Sequence, residues 1–197
     1  MLTFLGATAL AFGAIFVAEF GDKSQLLILA FATRYAARPV VLGLILAAAT
    51  IQGASVAVGA IVGAALPTTT VAVVAGIAFL AVAAWTLRGD DDQHEEASAT
   101  RGDRRLVGIG LVLTVAGTFI LGEIGDKTML ATFALAASQG ALPTWIGSTA
   151  GEVAANLVAV VVGHQVGHRL SPRMVRIGSA LLFAIAGVAV LAGVLLG

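Results

Sequence analysis

Six long apolar stretches take up most of this 197-residue chain and limit how it can fold. About 20 consecutive apolar residues are enough for an α-helix to cross the hydrocarbon core of a bilayer. Each stretch reaches or approaches that length, which predicts an all-α polytopic membrane protein with six transmembrane helices and no separate soluble domain. Their approximate bounds are residues 3–33, 40–65, 70–87, 106–137, 142–167 and 175–196.

A charged motif occurs twice, each time inside an apolar stretch. The two copies contain both lysines of the chain, Lys23 and Lys127, and four of its eleven acidic residues. Ionisable groups within membrane helices are costly, and by default they mark the route of an ion. The copies lie 104 residues apart and read Glu19-Phe20-Gly21-Asp22-Lys23-Ser24 and Glu123-Ile124-Gly125-Asp126-Lys127-Thr128.

The same offset of 104 residues aligns positions outside the motif. This indicates two homologous halves, 1–87 and 106–197, joined by an acidic and polar linker at 88–105. With three helices in each half, the halves enter the membrane in opposite directions, so we expect two inverted three-helix repeats with a binding site near the midplane. Aligned pairs include Gly43 with Gly147, Pro39 with Pro143 and Gln52 with Asn156.

The arginines are distributed unevenly over the segments that connect the apolar stretches. All nine lie in or beside the first, third or fifth connection, and the second and fourth connections have none. Lys and Arg concentrate in the cytoplasmic loops of membrane proteins. The linker at 88–105 is therefore expected in the cytoplasm, and both termini are expected outside.

The motif residues can form a cation site. If the motif is helical, Glu19 and Asp22 share one face, and Lys23 follows Glu19 at the favourable spacing of four residues. An unpaired charge in the middle of a membrane helix costs about 2.5–3.5 kcal/mol, so the charged groups of the two copies should face one another. We therefore expect Lys23 and Lys127 to act as counter-charges to four metal-binding carboxylates, those of Glu19, Asp22, Glu123 and Asp126.

Charge and ligand type narrow the choice of ion. Four carboxylates and two ammonium groups leave two negative charges, which one divalent cation or two protons would balance. Sites made only of oxygen ligands favour hard cations such as Ca²⁺, Mn²⁺ or Mg²⁺. The chain has no cysteine, which excludes thiolate metal sites and disulfides.

Further residues within and outside the motif have more than one possible role. Gly21 and Gly125 can permit a helix break or close helix packing. Glu152 has no acidic counterpart, since Ala48 occupies the equivalent position, and it is interpreted as a proton-relay or access group. Four polar side chains are possible ligands or hydrogen-bonding neighbours of the site, namely Ser24, Thr128, Gln52 and Asn156.

The pattern E-x-G-D-K-[ST], present twice in a chain of this length, resembles the GDT family of cation exchangers. Both copies match in full, and the internal repeat covers essentially the whole chain. The resemblance implies export of Mn²⁺ or Ca²⁺ from the cytoplasm in exchange for protons. It also implies an integral membrane protein, which we expect in a bacterial plasma membrane.

The sequence also leaves alternatives to metal export. Export of a small organic cation or amino acid is the alternative, because exporters of that class share this size. An enzyme is not expected, since the apolar stretches hold no evident Ser-Lys dyad, zinc signature or protease-type pair of aspartates. The expected partners are the divalent cation, protons and membrane lipid, with no cofactor and no nucleic acid, and the sequence leaves monomer and homo-oligomer open.

Overall fold

The computed structural model describes residues 3–20, 22–88, 107–166 and 172–196, and the regular structure in these ranges is helical throughout. Within them, the side chains of residues 23, 159–160, 162–166, 172–176, 179, 182 and 196 are outside the description. The linker expected at 88–105 therefore lies outside the described residues, apart from Arg88.

The described helices run in chain order as α1 (Phe4–Glu19), α2 (Lys23–Ala32), α3 (Ala37–Ala65), α4 (Thr68–Arg88), α5 (Gly108–Glu123), α6 (Lys127–Gln139), α7 (Ala141–Val166) and α8 (Pro172–Leu196). The first residues of α1 to α4 recur 104 positions later as the first residues of α5 to α8. The repeat in the sequence is thus also a repeat of secondary structure.

Two of the six apolar stretches are broken helices. The axes of Phe4–Glu19 and Ser24–Ala32 differ by 79°, and those of α5 and α6 by 83°. The second break lies at Gly125, whose φ of +84° falls in the left-handed region that glycine adopts without a Cβ clash. The condition of a continuous helical motif is therefore not met, and each copy lies at the end of one helix and the start of the next.

The apolar helices fit a membrane protein. By length and composition, α3 and α4 can each cross a bilayer, and counting each bent pair as one span raises the number among the described residues to four. The expected six spans stay a prediction. Large apolar side chains on the outer surface, such as Leu5, Ile109 and Leu121, are mostly exposed, as lipid-facing residues are.

The two halves are interleaved. Helix α1 packs against α7, α5 packs against α3, and α4 packs against α8. Small residues make the first two contacts possible, since a Cβ on Gly147 would lie 2.3 Å from the Thr8 carbonyl oxygen, and one on Gly43 would lie 2.8 Å from that of Val112. Gly43 and Gly147 are equivalent positions in the repeat, so the α1–α7 and α3–α5 interfaces both depend on a glycine that lets two helix backbones approach closely.

Two buried apolar clusters fill the helix interfaces. In one, Phe79 of α4 stacks on Phe183 of α8 with ring centroids 6.2 Å apart, beside Leu135 of α6. In the other, Leu44 of α3 packs with Phe119 of α5. Both clusters join helices of different halves, so the core depends on the interleaving.

The glycine contacts yield the first prediction. Gly147→Ala should lower the unfolding midpoint in detergent, because the new Cβ would overlap a backbone carbonyl of α1 that cannot rotate away. Overpacking of this kind costs about 1–3 kcal/mol. Gly13→Ala is the matched control, since nothing lies within 4 Å of a Cβ there. Equal midpoints for the two variants would contradict the close contact between α1 and α7.

Candidate metal centre

Carboxylates from both motif copies come together. One oxygen each of Glu19, Asp22 and Asp126 lies within 4.8 Å of the other two. Glu19 is fully buried at the end of α1, and Asp126 is 7% exposed at the start of α6. Ca²⁺ binds carboxylate oxygens at about 2.3–2.6 Å, so oxygens on opposite sides of one ion are about 5 Å apart. The three groups are therefore close enough to hold a single cation.

Glu123 is adjacent to this group without belonging to it. It is the last residue of α5 and is 3% exposed. Among the described residues, the group within 4.8 Å comprises only the other three acids. Its negative charge nevertheless acts on the buried Glu19 carboxylate. The four predicted ligands thus share one region, with three of them at ligand spacing.

The hydroxyl groups of the motif hold the carboxylates in place. Ser24 donates a hydrogen bond to the Glu19 carboxylate at 3.0 Å. Asp126 caps α6, where its carboxylate accepts from the backbone N–H and the hydroxyl of Thr128, both at 3.4 Å. The start of a helix also favours negative charge through its dipole. Both hydroxyls therefore orient an acidic group, the neighbouring role that the sequence allowed.

The helix break at Gly125 depends on the backbone conformation of this glycine and not on its small size. An added Cβ there would meet nothing within 4 Å, so close packing does not explain this glycine. Its positive φ redirects the chain between Glu123 and Asp126, which places both acids at helix ends. At this position the structure therefore has a helix break, and an added side chain would meet no packing neighbour. Gly21 lies outside the described residues.

Lys127 pairs across the halves. Its ammonium group forms an ion pair with Asp22 of the first motif copy, and both side chains are largely buried. The charges of Asp126 and Glu19 also act on it. The spacing of four residues between Glu123 and Lys127 therefore does not decide which acid pairs with Lys127. The two residues lie on different helices, so they do not share a helical face. The side chain of Lys23 lies outside the described residues.

Glu152 belongs to the same buried region. It is 1% exposed on α7, and its carboxylate accepts a hydrogen bond from the side-chain amide of Gln52 on α3. Asn156, one turn later on α7, donates to the Glu152 backbone carbonyl at 3.0 Å. Gln52 therefore makes the interhelical hydrogen bond that the sequence left as an alternative to a ligand role, and Asn156 bonds within its own helix.

Electrostatics connect Glu152 to the motif. Its negative charge acts on Glu19, and the charge of Asp126 acts on Glu152. The region therefore contains five carboxylates, one more than the predicted ligand set. In the sequence, Glu152 stands out as an acid inside an apolar stretch, with Ala48 at the equivalent position. Its hydrogen-bond partner Gln52 is found only in the structure, where α3 packs on α7.

Both halves of the chain match a known protein family. Residues 7–94 and 111–196 match the family described as Divalent cation/proton antiporter GDT1. The chain belongs to this family. The match covers both halves and both motif copies, so it confirms the resemblance that the motif gave.

A relative agrees with the family. A protein of Vibrio cholerae serotype O1 named "Putative manganese exporter" is 31% identical over 156 residues, which cover 78% of this chain and 74% of that protein. No solved structure matches the chain. Family membership makes this chain a membrane transporter of the cation/proton antiporter type, as the sequence predicted, and not an enzyme.

The ion pair between the halves yields the second prediction. Removing one partner of a buried pair leaves an unpaired charge, which costs about 3–5 kcal/mol. Lys127→Met and Asp22→Asn should each lower the unfolding midpoint in detergent, and the double variant should lose less than the sum of the two. Lys127→Arg, which keeps the charge, is the control and should stay near the wild-type midpoint. Additive losses in the double variant would contradict the pair.

Proposed function

We propose that this chain is a secondary transporter that exports Mn²⁺ or Ca²⁺ in exchange for protons, with Glu19, Asp22, Glu123 and Asp126 as the metal-binding groups. The observation that supports it most directly is the meeting of three carboxylates from the two motif copies within 4.8 Å. A site shared by two halves changes shape when one half moves against the other. That property suits alternating access.

Charge balance supports the exchange of metal for protons. A divalent cation and two protons carry the same charge, so a site loaded with either has the same total charge. This holds whether four or five carboxylates take part, because it depends only on the difference between the two loaded states. We therefore propose that one metal ion exchanges for two protons, with flux that follows the pH gradient and responds little to membrane potential.

Two features support Mn²⁺ as the first substrate to test. Every acidic and amide oxygen in the region is a ligand that hard divalent cations accept. The similar protein of Vibrio cholerae carries manganese export in its name. Oxygen ligands alone also suit Ca²⁺. The alternative substrate, a small organic cation or amino acid, gains no support from the site. Three carboxylate oxygens within 4.8 Å of one another have the spacing of ligands around a single metal ion.

We further propose that the chain crosses a bacterial plasma membrane six times, as inverted repeats at 1–87 and 106–197. The identical starting register of the helices in both halves supports this division. The reciprocal packing of α1 on α7 and α5 on α3 also supports it, because each half provides the same contact surface to the other. The arginine distribution favours termini outside and the linker at 88–105 in the cytoplasm.

Flux measurements test the proposed exchange. Purified protein in liposomes should move Mn²⁺ when a pH gradient is imposed, and Mn²⁺ added without a gradient should drive protons the other way. Glu19→Gln and Glu123→Gln should each abolish both movements, since each removes a charge that metal and protons share. Asp90→Asn, which changes an acid in the linker outside the apolar stretches, is the control and should retain transport.

Two results would contradict the proposal. Metal flux driven by membrane potential and insensitive to pH would indicate a channel or uniporter. Uptake of an organic cation without any metal-dependent proton movement would favour the alternative substrate. Repeating the assay with Ca²⁺ in place of Mn²⁺, at matched concentrations, decides between the two metals.

A further inference from the structure

Helix α7 has a buried polar face. Residues spaced four apart lie above one another on a helix, and four such residues of α7 are polar. Each is at most 1% exposed, although the helix lies inside an apolar protein. The polar face consists of Thr144, Ser148, Glu152 and Asn156.

The equivalent face of α3 is apolar over most of its length. It has Val40, Leu44 and Ala48 where α7 has its two hydroxyls and its acid, and only Gln52 is polar. These four side chains are as deeply buried as their counterparts. Packing at these positions is therefore possible with apolar residues, so packing does not account for the polar ones.

The polar face retains hydrogen-bonding capacity that the protein does not use. Serine and threonine in membrane helices commonly bond to a carbonyl of their own preceding turn, as Ser148 of this face does with Trp145 at 3.3 Å and Ser55 does on α3. The buried oxygens of Thr144 (Oγ1), Glu152 (Oε1) and Asn156 (Oδ1) have no hydrogen-bond partner in the described protein. In hydrocarbon such groups are costly, unless they line a path for water or ions.

The amide groups are oriented so that their oxygens remain available. Only an NH₂ group can face a carboxylate or carbonyl oxygen, and the NH₂ groups of Gln52 and Asn156 both face oxygens of Glu152. The Oε1 of Gln52 and the Oδ1 of Asn156 are therefore left as acceptors. Together with the second oxygen of Glu152 they are three buried oxygens without a partner, all of them acceptors, which suits a cation and not an anion.

The polar face has the length of half a membrane. From Thr144 to Asn156 the helix rises about 18 Å at 1.5 Å per residue. Half of the hydrocarbon core is about 15 Å. Thr144 is three residues from the first residue of α7. Helix α7 packs against α1, α2 and α6, the helices whose ends hold the motif acids, so the face connects the start of α7 to the candidate metal centre.

We propose that the polar face of α7 is the path of the transported cation between the candidate metal centre and the membrane side on which α7 begins. Glu152, with the amide oxygens of Gln52 and Asn156, forms a second binding station on that path. The inference rests on the proposed function, since it assigns a route to the same ion. The corresponding face of α3 is closed to ions because Val40, Leu44 and Ala48 offer no ligand.

Cysteine accessibility tests the path without requiring transport. The chain contains no cysteine, so a single introduced thiol is the only reactive one. In protein embedded in lipid nanodiscs, Ser148→Cys should react with a small cationic methanethiosulfonate reagent at least about tenfold faster than Leu44→Cys, because only a hydrated position yields reactive thiolate. Mn²⁺ should slow the reaction at position 148. The two positions are equivalent in the repeat and both are fully buried.

Equal labelling rates at the two positions, or no labelling at either, would overturn the path. Thr144→Cys against Val40→Cys gives a second pair, in case one variant folds poorly. Faster labelling at both positions of α7, together with protection by Mn²⁺, would support it.

Transport by Glu152→Gln tests the second station and separates it from the proposed function. This isosteric change removes one charged ligand and should raise the KM for Mn²⁺ about tenfold when the ion is supplied on the side where α7 begins. The KM measured from the other side should change little. If the wild type exchanges Mn²⁺ for protons and the variant has unchanged KM on both sides, the station is wrong and the exchange stands. If the wild type exchanges no Mn²⁺, the proposed function itself is wrong.

Discussion

The burial of negative charge is the constraint on which the rest of this structure depends. Glu19, Glu123 and Glu152 are almost completely shielded from solvent, and a carboxylate in such surroundings is stable only with hydrogen bonds, a counter-charge or a bound cation. Ser24 bonds to Glu19, while Gln52 reaches Glu152 from the other half. Because Gln52–Glu152 and the Asp22–Lys127 ion pair both cross between the halves, separating the halves would leave buried charges unpaired. The same interactions that position the carboxylates therefore also hold the two repeats together.

The broken helices explain how so many charged groups reach one place. A continuous helix would place its acids along one side, with all backbone groups bonded internally. Ending α5 at Glu123 and starting α6 at Lys127 instead brings acids to helix ends, and Gly125 permits the turn between them. The glycine contacts between α1 and α7 and between α3 and α5 bring the backbones of the two halves close enough for these ends to meet. The backbone conformation of Gly125 and the close packing at Gly43 and Gly147 thus both help to bring the motif acids together.

The two halves share their helix pattern but differ in the residues of one buried helix face, that of α3 and α7. The repeat gives both halves the same helix register and the same kind of interface, which suits a site that two related halves share. A fully symmetric protein would offer an ion equal surroundings on both approaches. At equivalent buried positions the first half has Ala48 and Leu44 where the second has Glu152 and Ser148, so the two halves differ in chemistry there. An exchanger of two ions gains from such a difference, since each side of the membrane has its own ion concentrations to respond to.

The sequence by itself determined the helical class, the internal repeat and the family, and it singled out the acids that the structure brings together, because hydropathy, spacing and motif identity are properties of the linear chain. It also identified Gly125 as a point where a helix could break. It did not identify the partner of Lys127, for which helical spacing suggested Glu123 and the structure has Asp22, nor the hydrogen bond from Gln52 to Glu152. It likewise did not separate Glu123 from the three acids at ligand spacing. These contacts were decided by the tertiary structure, since they depend on the angle at the helix breaks and on which helix of one half lies against which helix of the other.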